Sequence, residues 1–405
     1  MAFSSFLLYG IPILCATPVF MQEKFNIAES VNKFSVDLLA ATDQKASDNI
    51  NIALSPFTIW TLLSIISEGA VGATADQIEK ALRLPENKNV VRDSYQRLSQ
   101  KLQQKSDGAE FDTSSAIFVK EKFQLREKFK SVAKQFYNTT TQQVNFDNAD
   151  VASNIINKYI AAATNNRITE LVYPKDLQNA HLFLTTTMYF KGQWQVPFNK
   201  TATKSSSFYD EKKNKIGNVQ MMYQSYPYPY GRIDGLKIFA LEIPYGYDDL
   251  FSMLILLPRS TQTLRGLLNS LKEESITDIL AFLQKSRQMF DDNVHVYIPK
   301  MKISSDFNLD PALHDMGIRD LFDSQQADLL GMFDQYLYVS RIIQKAEIEL
   351  DEEGTVASAA GGSVFLNRSP PPRFLANRPF LYFIIHKVSG TVVFSGRVSN
   401  PNALG

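Results

Sequence analysis

The stretch after residue 353 has the composition of a segment that a protease can attack. Fourteen residues without a charge, 354 to 367, lead to Arg368-Ser369, and three prolines follow at 370 to 372. Consecutive prolines block both a regular helix and a central strand, so the Arg-Ser bond should be held extended. An arginine fits a specificity pocket with a carboxylate at its base, as in trypsin-like serine proteases.

The uncharged stretch is also compatible with a β-sheet. In period two, one face of residues 355 to 363 carries Thr, Ala, Gly and Ser, and the other carries Val, Ser, Ala and Gly. Such a segment can enter between two strands without burying a charge. Fourteen extended residues span roughly 46 to 50 Å, enough to cross a large sheet. Composition alone also fits a Gly/Ala/Ser linker followed by a proline-rich turn.

Enzymatic motifs are absent from the sequence. The four histidines are not paired at metal-ligand spacing, and no HExxH, GxSxG, GxxxxGK[ST] or GxGxxG motif occurs. His314-Asp315 fits a helix-surface pair better than a catalytic dyad. The pattern Gly69-Ala70-Val71-Gly72 lacks the lysine of a phosphate loop and fits a junction between helices. We therefore expect no enzymatic activity, no metal site and no cofactor.

The charge balance argues against a nucleic-acid-binding protein. The 405 residues include 42 Lys+Arg and 42 Asp+Glu, whereas nucleic-acid binders normally have a basic excess. A basic run from Lys120 to Lys134 is diluted by Glu121 and Glu127. A solvated helix face explains this run better than a polyanion site, which stays the open alternative.

The first residues have the pattern of an export signal. The apolar run Phe3 to Phe20 is too short and too interrupted by Pro and Gly to span a membrane. Ala16 offers a cleavage position, so we predict a signal peptide at 1–16, a mature chain of 17–405 and a secreted, extracellular product. Cleavage there removes the only cysteine, Cys15, and leaves a chain without disulfides. Sequons at Asn138 and Asn199 predict N-glycosylation.

The domain that presents the Arg-Ser segment should be rich in helices in its first third and rich in strands from the middle of the chain onward. Helical spacing and capping signals predict helices at 26–42, from Pro56 onward, at 73–84, within 261–287 and at 308–316. Alternating patterns predict strands at 239–243, 251–257, 294–298 and, through Ala346, Ile348 and Leu350, directly before the uncharged stretch. No repeat and no long linker divides the chain. We predict one domain of the α+β class with large mixed or antiparallel sheets.

Motifs spread over nearly the whole chain resemble those of the serpin family. Residues 346–360, Ala-Glu-Ile-Glu-Leu-Asp-Glu-Glu-Gly-Thr-Val-Ala-Ser-Ala-Ala, resemble the hinge of a serpin reactive loop, and Asn-Arg-Pro-Phe-Leu at 377–381 resembles the strand that follows it. The other serpin-like motifs are Asn-Ile-Ala-Leu-Ser-Pro at 51–56, Glu-Gly-Ala at 68–70, Tyr-Phe-Lys-Gly-Gln-Trp at 189–194, Pro-Phe at 197–198 and Phe-Ser-Gly-Arg-Val-Ser-Asn-Pro at 394–401. They stand in the order expected of the family.

This resemblance implies a serpin fold with three β-sheets, about nine helices and an exposed reactive-centre loop at about 352–378. It also implies suicide-substrate inhibition: the protease forms an acyl-enzyme on the loop, which inserts as a strand before water completes the reaction. Counting from the hinge threonine gives Arg368-Ser369 as the reactive bond, and the later Arg373-Phe374 lies five residues too far along. Phe365, Leu366 and Asn367 would tune selectivity. The hinge would comprise Glu352, Gly354, Thr355, Ala357, Ser358, Ala359 and Ala360.

The resemblance also assigns residues within the central sheet. Serpins usually have an Asn and a His that bridge the two strands which separate during insertion; the matching positions here are Thr186 and Gln344. With Ser55 and Thr58, these residues form the shutter. A hydroxyl and an amide can still form a hydrogen bond, so we predict a retained but altered latch. Trp194 is assigned to the breach, the end of the central sheet next to the hinge.

Two functions follow from the resemblance. The first is inhibition of an extracellular trypsin-like protease through a covalent acyl complex, in a cascade such as invertebrate melanisation, clotting or innate immune signalling. The alternative is a non-inhibitory serpin-fold carrier, chaperone or storage protein, against which the small hinge residues argue. We expect a monomer that forms polymers on heating, because a loop that can join its own sheet can join a neighbour's.

Overall fold

The computed structural model describes residues 25–289, 293–353 and 371–403. These residues form nine α-helices and three β-sheets, which confirms the predicted α+β class. The predicted signal peptide, with Cys15, lies outside the described residues.

Nine helices are described: six lie before residue 164, in the part of the chain predicted to be rich in helices, and three lie among the later strands. They are α1 (Ile27–Lys45), α2 (Pro56–Ser67), α3 (Gly72–Leu82), α4 (Lys88–Leu102), α5 (Glu127–Tyr137), α6 (Ala149–Ala163), α7 (Leu264–Leu271), α8 (Ile276–Met289) and α9 (Asp310–Asp315). The helix starts have a local cause: the side chains of Asn26 and Ser55 accept hydrogen bonds from backbone N–H groups of the first turns of α1 and α2.

Two helical predictions differ from the structure in detail. The span 261–287 contains two helices, because Ser275 interrupts the run and its Oγ accepts from the N–H of Thr277 at the start of α8. The basic run from Lys120 to Lys134 is not one helix face, since Lys120 ends a strand and the last three lysines lie on α5. The junction at 69–72 is confirmed: it connects α2 to α3, and Gly72 has φ +54°.

The fifteen strands described form three sheets. The central sheet contains β11 (Met301–Asn308), β12 (Arg341–Leu350), β4 (Leu182–Gly192), β2 (Ala109–Lys120) and β3 (Thr140–Val144), in that order. The second sheet contains β1 (Ile52–Leu54), β15 (Thr391–Val398), β14 (Phe380–His386), β9 (Phe251–Pro258), β8 (Ile238–Tyr245) and β7 (Tyr230–Ile233). The third contains β13 (Arg373–Leu375), β10 (Val294–Pro299), β6 (Lys215–Tyr226) and β5 (Lys204–Tyr209).

The core lies between the second sheet, the central sheet and helix α2. Every residue of α2 is buried, as expected for a helix that is apolar around its whole circumference. Strands β9, β14 and β15 are also buried along their full length, so both faces of the second sheet are covered. A buried ion pair between Asp43 of α1 and Arg397 of β15 connects the first helix to the last strand. No described helix has the length and apolar character needed to cross a membrane.

His386, at the end of β14, is a buried histidine. Its Nδ1 lies 2.8 Å from Ser389 Oγ, and among the described residues its Nε2 has no hydrogen-bond partner. Burial, assisted by the positive charge of Lys101, lowers the pKa of His386 to about 4 from its usual value near 6.5. The side chain is therefore neutral in the folded protein at pH 5, where an unfolded chain would protonate it.

We predict that this histidine weakens the protein in mild acid. Between pH 6.5 and 4 the unfolded chain binds a proton that the folded protein excludes, so stability present above pH 6.5 is lost as the pH falls. From pH 7 to pH 5 the loss should be about 2 kcal/mol, and His386→Gln should largely abolish it. Urea denaturation at both pH values measures the difference. His314→Gln, at an exposed histidine, is the control and should behave like the unmodified protein.

Candidate functional site

Most of the predicted reactive loop lies outside the described residues. This applies to the reactive bond Arg368-Ser369, to its neighbours Phe365, Leu366 and Asn367, and to the hinge residues Gly354, Thr355, Ala357, Ser358, Ala359 and Ala360. Their assignments stay predictions. The structure describes both ends of the segment: β12 with the residues up to Glu353, and the chain from Pro371 onward.

Strand β12 leads into the uncharged segment from inside the central sheet. The predicted alternation is confirmed, since Ala346, Ile348 and Leu350 are buried and the residues between them are half-buried. On one side β12 pairs antiparallel with β11, and on the other it pairs parallel with β4. In the parallel pair, Gln344 lies directly opposite Thr186.

The predicted hydrogen bond between these two residues is present. Gln344 Nε2 donates to Thr186 Oγ1 at 2.9 Å, and both side chains are buried. The same nitrogen lies 2.9 Å from the carbonyl oxygen of Ser55 and 3.0 Å from Thr58 Oγ1. Because an amide nitrogen has two hydrogens, these three acceptors must share them. The side chain thus contacts both the facing strand and the beginning of α2.

Two further contacts complete this buried network. Gln344 Oε1 accepts from the backbone N–H of Ser55 at 2.9 Å, and the hydroxyls of Thr58 and Thr186 are 2.9 Å apart. The four shutter residues therefore connect β12, β4 and the first turn of α2 through one side-chain amide. A role as a latch stays a prediction, but the geometry that such a latch requires is present.

Trp194 anchors the chain immediately after β12. Its ring stacks on Tyr245, with centroids 4.5 Å apart, and its Nε1 donates to the carbonyl oxygen of Asp351 at 2.7 Å. The backbone N–H groups of Trp194 and Phe198 donate to the carbonyl oxygens of Glu353 and Glu352, at 3.0 and 3.1 Å. Three consecutive carbonyl groups at the base of the loop are thus held by one segment.

Glu352 is a buried carboxylate at the same point. Its exposed fraction is 6%, and it accepts hydrogen bonds from Lys300 Nζ at 2.8 Å and Thr203 Oγ1 at 2.9 Å. Burial alone would raise the pKa of Glu352, but the bonds from Lys300 and Thr203 outweigh it and keep the pKa below its usual value. Neither partner carries a signal in the sequence. A buried carboxylate requires a cation, but the sequence does not indicate which lysine supplies it.

The far end of the segment is fixed in the third sheet. Arg373 begins β13, which pairs parallel with β10, and its guanidinium carbon lies 4.6 Å from the centre of the Tyr297 ring. Phe374 is 1% exposed. A protease needs an accessible, extended bond, so pairing of this strand in the sheet should make the second basic bond, Arg373-Phe374, at most a minor site of cleavage.

The remaining predicted surface features are exposed. Asn138 and Asn199 are both accessible, and Asn199 Oδ1 accepts from the N–H and the hydroxyl of Thr201 within its sequon. Asp315 pairs with Lys45 at 2.7 Å through one carboxylate oxygen, and the other oxygen lies 4.0 Å from His314 Nδ1, too far for a hydrogen bond. Within the described ranges, no group of three or more His, Cys, Asp or Glu side chains could hold a metal ion.

Cations of the basic run from Lys120 to Lys134 form local ion pairs with acidic neighbours. The pairs are Lys120–Asp147, Arg126–Asp334 and Lys130–Glu127, all with side chains that are at least partly exposed. Such pairs fit a solvated surface.

Comparison with known proteins gives a consistent result. The family model described as "Serpin (serine protease inhibitor)" matches residues 29–401. Human leukocyte elastase inhibitor is 30% identical over 380 residues, which cover 93% of this chain and 99% of the relative. An uncharacterized serpin-like protein of Methanosarcina acetivorans is 31% identical over 388 residues, covering 93% of this chain and 88% of the relative.

Solved structures of two insect proteins resemble the whole fold. Serine protease inhibitor (serpin)-12 of Manduca sexta has a TM-score of 0.81 and 26% identity, covering 93% of this chain and 99% of that structure. Serpin48 of Tenebrio molitor, titled a highly specific serpin, has a TM-score of 0.77 and 28% identity, covering 94% and 100%.

We predict that the contact between Thr186 and Gln344 restrains separation of β4 and β12. Thr186→Val removes the contacts from Thr186 Oγ1 to Gln344 and Thr58 without changing the volume much, and should cost about 1 kcal/mol. We expect a lower melting temperature and faster spontaneous loss of inhibitory activity on storage. Thr187→Val is the matched control: the Thr187 hydroxyl is buried and has no partner among the described residues, so its loss should not destabilise the protein. If Thr186→Val matched this control, the latch assignment would be refuted.

A second prediction concerns the base of the loop. Glu352→Gln removes the charge that Lys300 stabilises and should cost about 1 kcal/mol, since the lysine end of the pair is partly exposed. The melting temperature should fall, and polymers on native gels should form at lower temperature. Glu353→Gln changes the neighbouring carboxylate, which is 46% exposed and lies 3.5 Å from Lys191, and should have little effect. Equal behaviour of the two variants would contradict a special role for Glu352.

Proposed function

This chain belongs to the serpin family, whose members are serine protease inhibitors and not enzymes, and we propose that it inhibits an extracellular trypsin-like protease. The proposed reactive bond is Arg368-Ser369. The protease serine attacks the Arg368 carbonyl, the bond to Ser369 breaks, and the new amine leaves while an ester joins Arg368 to the protease. Insertion of the freed segment into the central sheet then precedes hydrolysis of that ester.

The parallel pair of β4 and β12 is the observation that carries this proposal. A segment that folds back directly after β12 runs antiparallel to β12. Because β4 runs in the same direction as β12, the same segment is also antiparallel to β4. One parallel ladder would be exchanged for two antiparallel ladders, which are slightly more stable per residue. The parallel pair therefore supports insertion of a strand at this position.

Length and composition of the segment support the same mechanism. The β4–β12 register extends over nine residue pairs, and the uncharged stretch has fourteen residues before Arg368-Ser369. The charges at 351–353 lie at the end of the sheet, where Lys300 pairs with Glu352 and Lys191 with Glu353. Insertion from residue 354 onward would therefore bury no charged side chain until Arg368.

Arginine at the proposed reactive position supports a trypsin-like target. The human relative is named for elastase, whose specificity pocket accepts small side chains, whereas Arg368 requires a pocket with a carboxylate. We therefore infer a different protease class for this chain than for that relative.

We also propose that the protein acts outside the cell in a proteolytic cascade such as melanisation, clotting or innate immune signalling. The family model begins at residue 29 and leaves the apolar N-terminal run outside it, as expected for a signal peptide. The two exposed sequons fit a glycoprotein on the secretory route. The likeness to two insect structures supports an arthropod setting.

Incubation with trypsin tests the proposal. We expect a complex that resists SDS and is about one protease heavier than the inhibitor. Thr355→Arg would require a charge to enter the sheet, so this variant should be cleaved at Arg368 without a complex. Thr355→Ala is the control and should keep inhibiting. Clean cleavage of the unmodified protein would instead support the non-inhibitory carrier, chaperone or storage function, and inhibition by Thr355→Arg would refute insertion.

A further inference from the structure

A groove of about 610 Å³ lies between the second and third sheets' connecting segments. Its walls come from the end of β5 and the turn after it, from β8, from the end of β9 and the residues after it, and from residues 377–379, which link β13 to β14. Tyr209, Phe239, Pro258 and Pro379 give the groove apolar walls. A hydrogen bond of 3.0 Å from the N–H of Tyr209 to the carbonyl oxygen of Asn377 joins two of the four wall segments. The volume is typical of sites for small organic ligands.

Arg378 lines this groove and has no anionic partner in the part of the chain that the structure describes. Its Nε and Nη2 donate to a single acceptor, the carbonyl oxygen of Pro258, at 3.0 and 2.8 Å. A guanidinium has five N–H donors, so most of its capacity is unused. The side chain is half-buried, and burial lowers the pKa of Arg378 below its usual value. Burial of an unpaired cation is costly, which favours an external anion here.

The acidic residues of the groove walls are occupied elsewhere. Asp210 accepts from the N–H and the side-chain amide of Asn214 at 2.8 and 2.9 Å. Glu211 accepts from the N–H of Leu264 at 2.5 Å. Neither carboxylate lies within 4 Å of a nitrogen of Arg378. The carboxylates of the groove walls therefore do not pair with Arg378, and a carboxylate from outside the chain can do so.

The other two cations of the groove differ from Arg378. Arg259 is paired with Asp234 at 2.7 Å, and Lys213 is exposed at the rim. Arg378 is thus the cation that combines partial burial, an apolar surrounding and unused donors. A planar guanidinium binds a carboxylate through two parallel hydrogen bonds, and the walls can cover an apolar body.

We propose that this groove is a binding site for a small amphipathic organic carboxylate. Its carboxylate pairs with Arg378, and its apolar part lies against Tyr209, Phe239 and the two prolines. Because the ligand contacts four separate segments that only folding brings together, binding stabilises the folded protein, and the stabilisation rises with the logarithm of the ligand concentration once the site is largely occupied. The groove uses residues at the C-terminal end of the predicted reactive loop and beyond it, and the proposal does not rest on the proposed inhibitory function.

Isothermal titration with decanoate tests the site, and 1-decanol is the neutral match for the same apolar chain. We expect decanoate to bind the full-length protein at least tenfold more tightly than decanol and to raise its melting temperature. Arg378→Gln should weaken decanoate binding at least tenfold and leave decanol binding unchanged. Arg287→Gln removes an exposed arginine of α8 outside the groove and should bind decanoate like the unmodified protein.

A second variant keeps the test decisive if Arg378→Gln folds poorly. Ser260 is exposed and lines the groove, so Ser260→Trp should fill it while leaving Arg378 intact. We expect this variant to lose decanoate binding and to retain the melting temperature of the ligand-free protein. The proposal is overturned if the unmodified protein does not bind decanoate, if decanol binds equally well, or if Ser260→Trp binds decanoate as tightly as the unmodified protein.

Discussion

The pairing of β4 with β12 around one buried amide is the constraint on which the rest of the structure depends. Gln344 reaches across the parallel pair to Thr186 and at the same time contacts Ser55 and Thr58 at the beginning of α2. A buried amide must keep its partners, so the two strands and the core helix hold each other in place. Any opening of the sheet at this point would break or exchange these hydrogen bonds.

The base of the loop shows how charge is distributed around this constraint. Asp351, Glu352 and Glu353 follow β12, and their carbonyl groups are held by Trp194 and Phe198. The buried carboxylate of Glu352 is compensated by Lys300 and Thr203. The charged residues 351–353 thus lie at the end of the central sheet. The uncharged stretch begins directly after them, at the position from which the proposed strand would enter the sheet. Composition, strand direction and anchoring all support the proposed insertion site.

The motif at 377–381 contains residues that are buried in the fold and one residue, Arg378, that lines the groove. Pro379 and Phe380 are buried where β14 begins, which explains their place in the fold. Arg378 instead holds the end of β9 through the carbonyl of Pro258 and leaves most of its donors in a groove. A residue that belongs to a family motif can therefore also provide a binding group of its own.

The sequence by itself determined those helices and strands whose signals lie in neighbouring residues. The cap at Ser55, the alternation through Ala346 and Leu350 and the uncharged run at 354–367 predict a helix start, a strand and an insertable segment, because each depends on neighbouring residues. The pairing of Thr186 with Gln344 was predicted from residue types and the family pattern. The resemblance also grouped Ser55 with Gln344, 289 positions away, but only the tertiary structure decided which of their atoms bond, and it alone decided the contact of Lys300 with Glu352, 52 positions away. It also decided that the acidic neighbours of Arg378 bond elsewhere, because such partners are set by packing between distant segments.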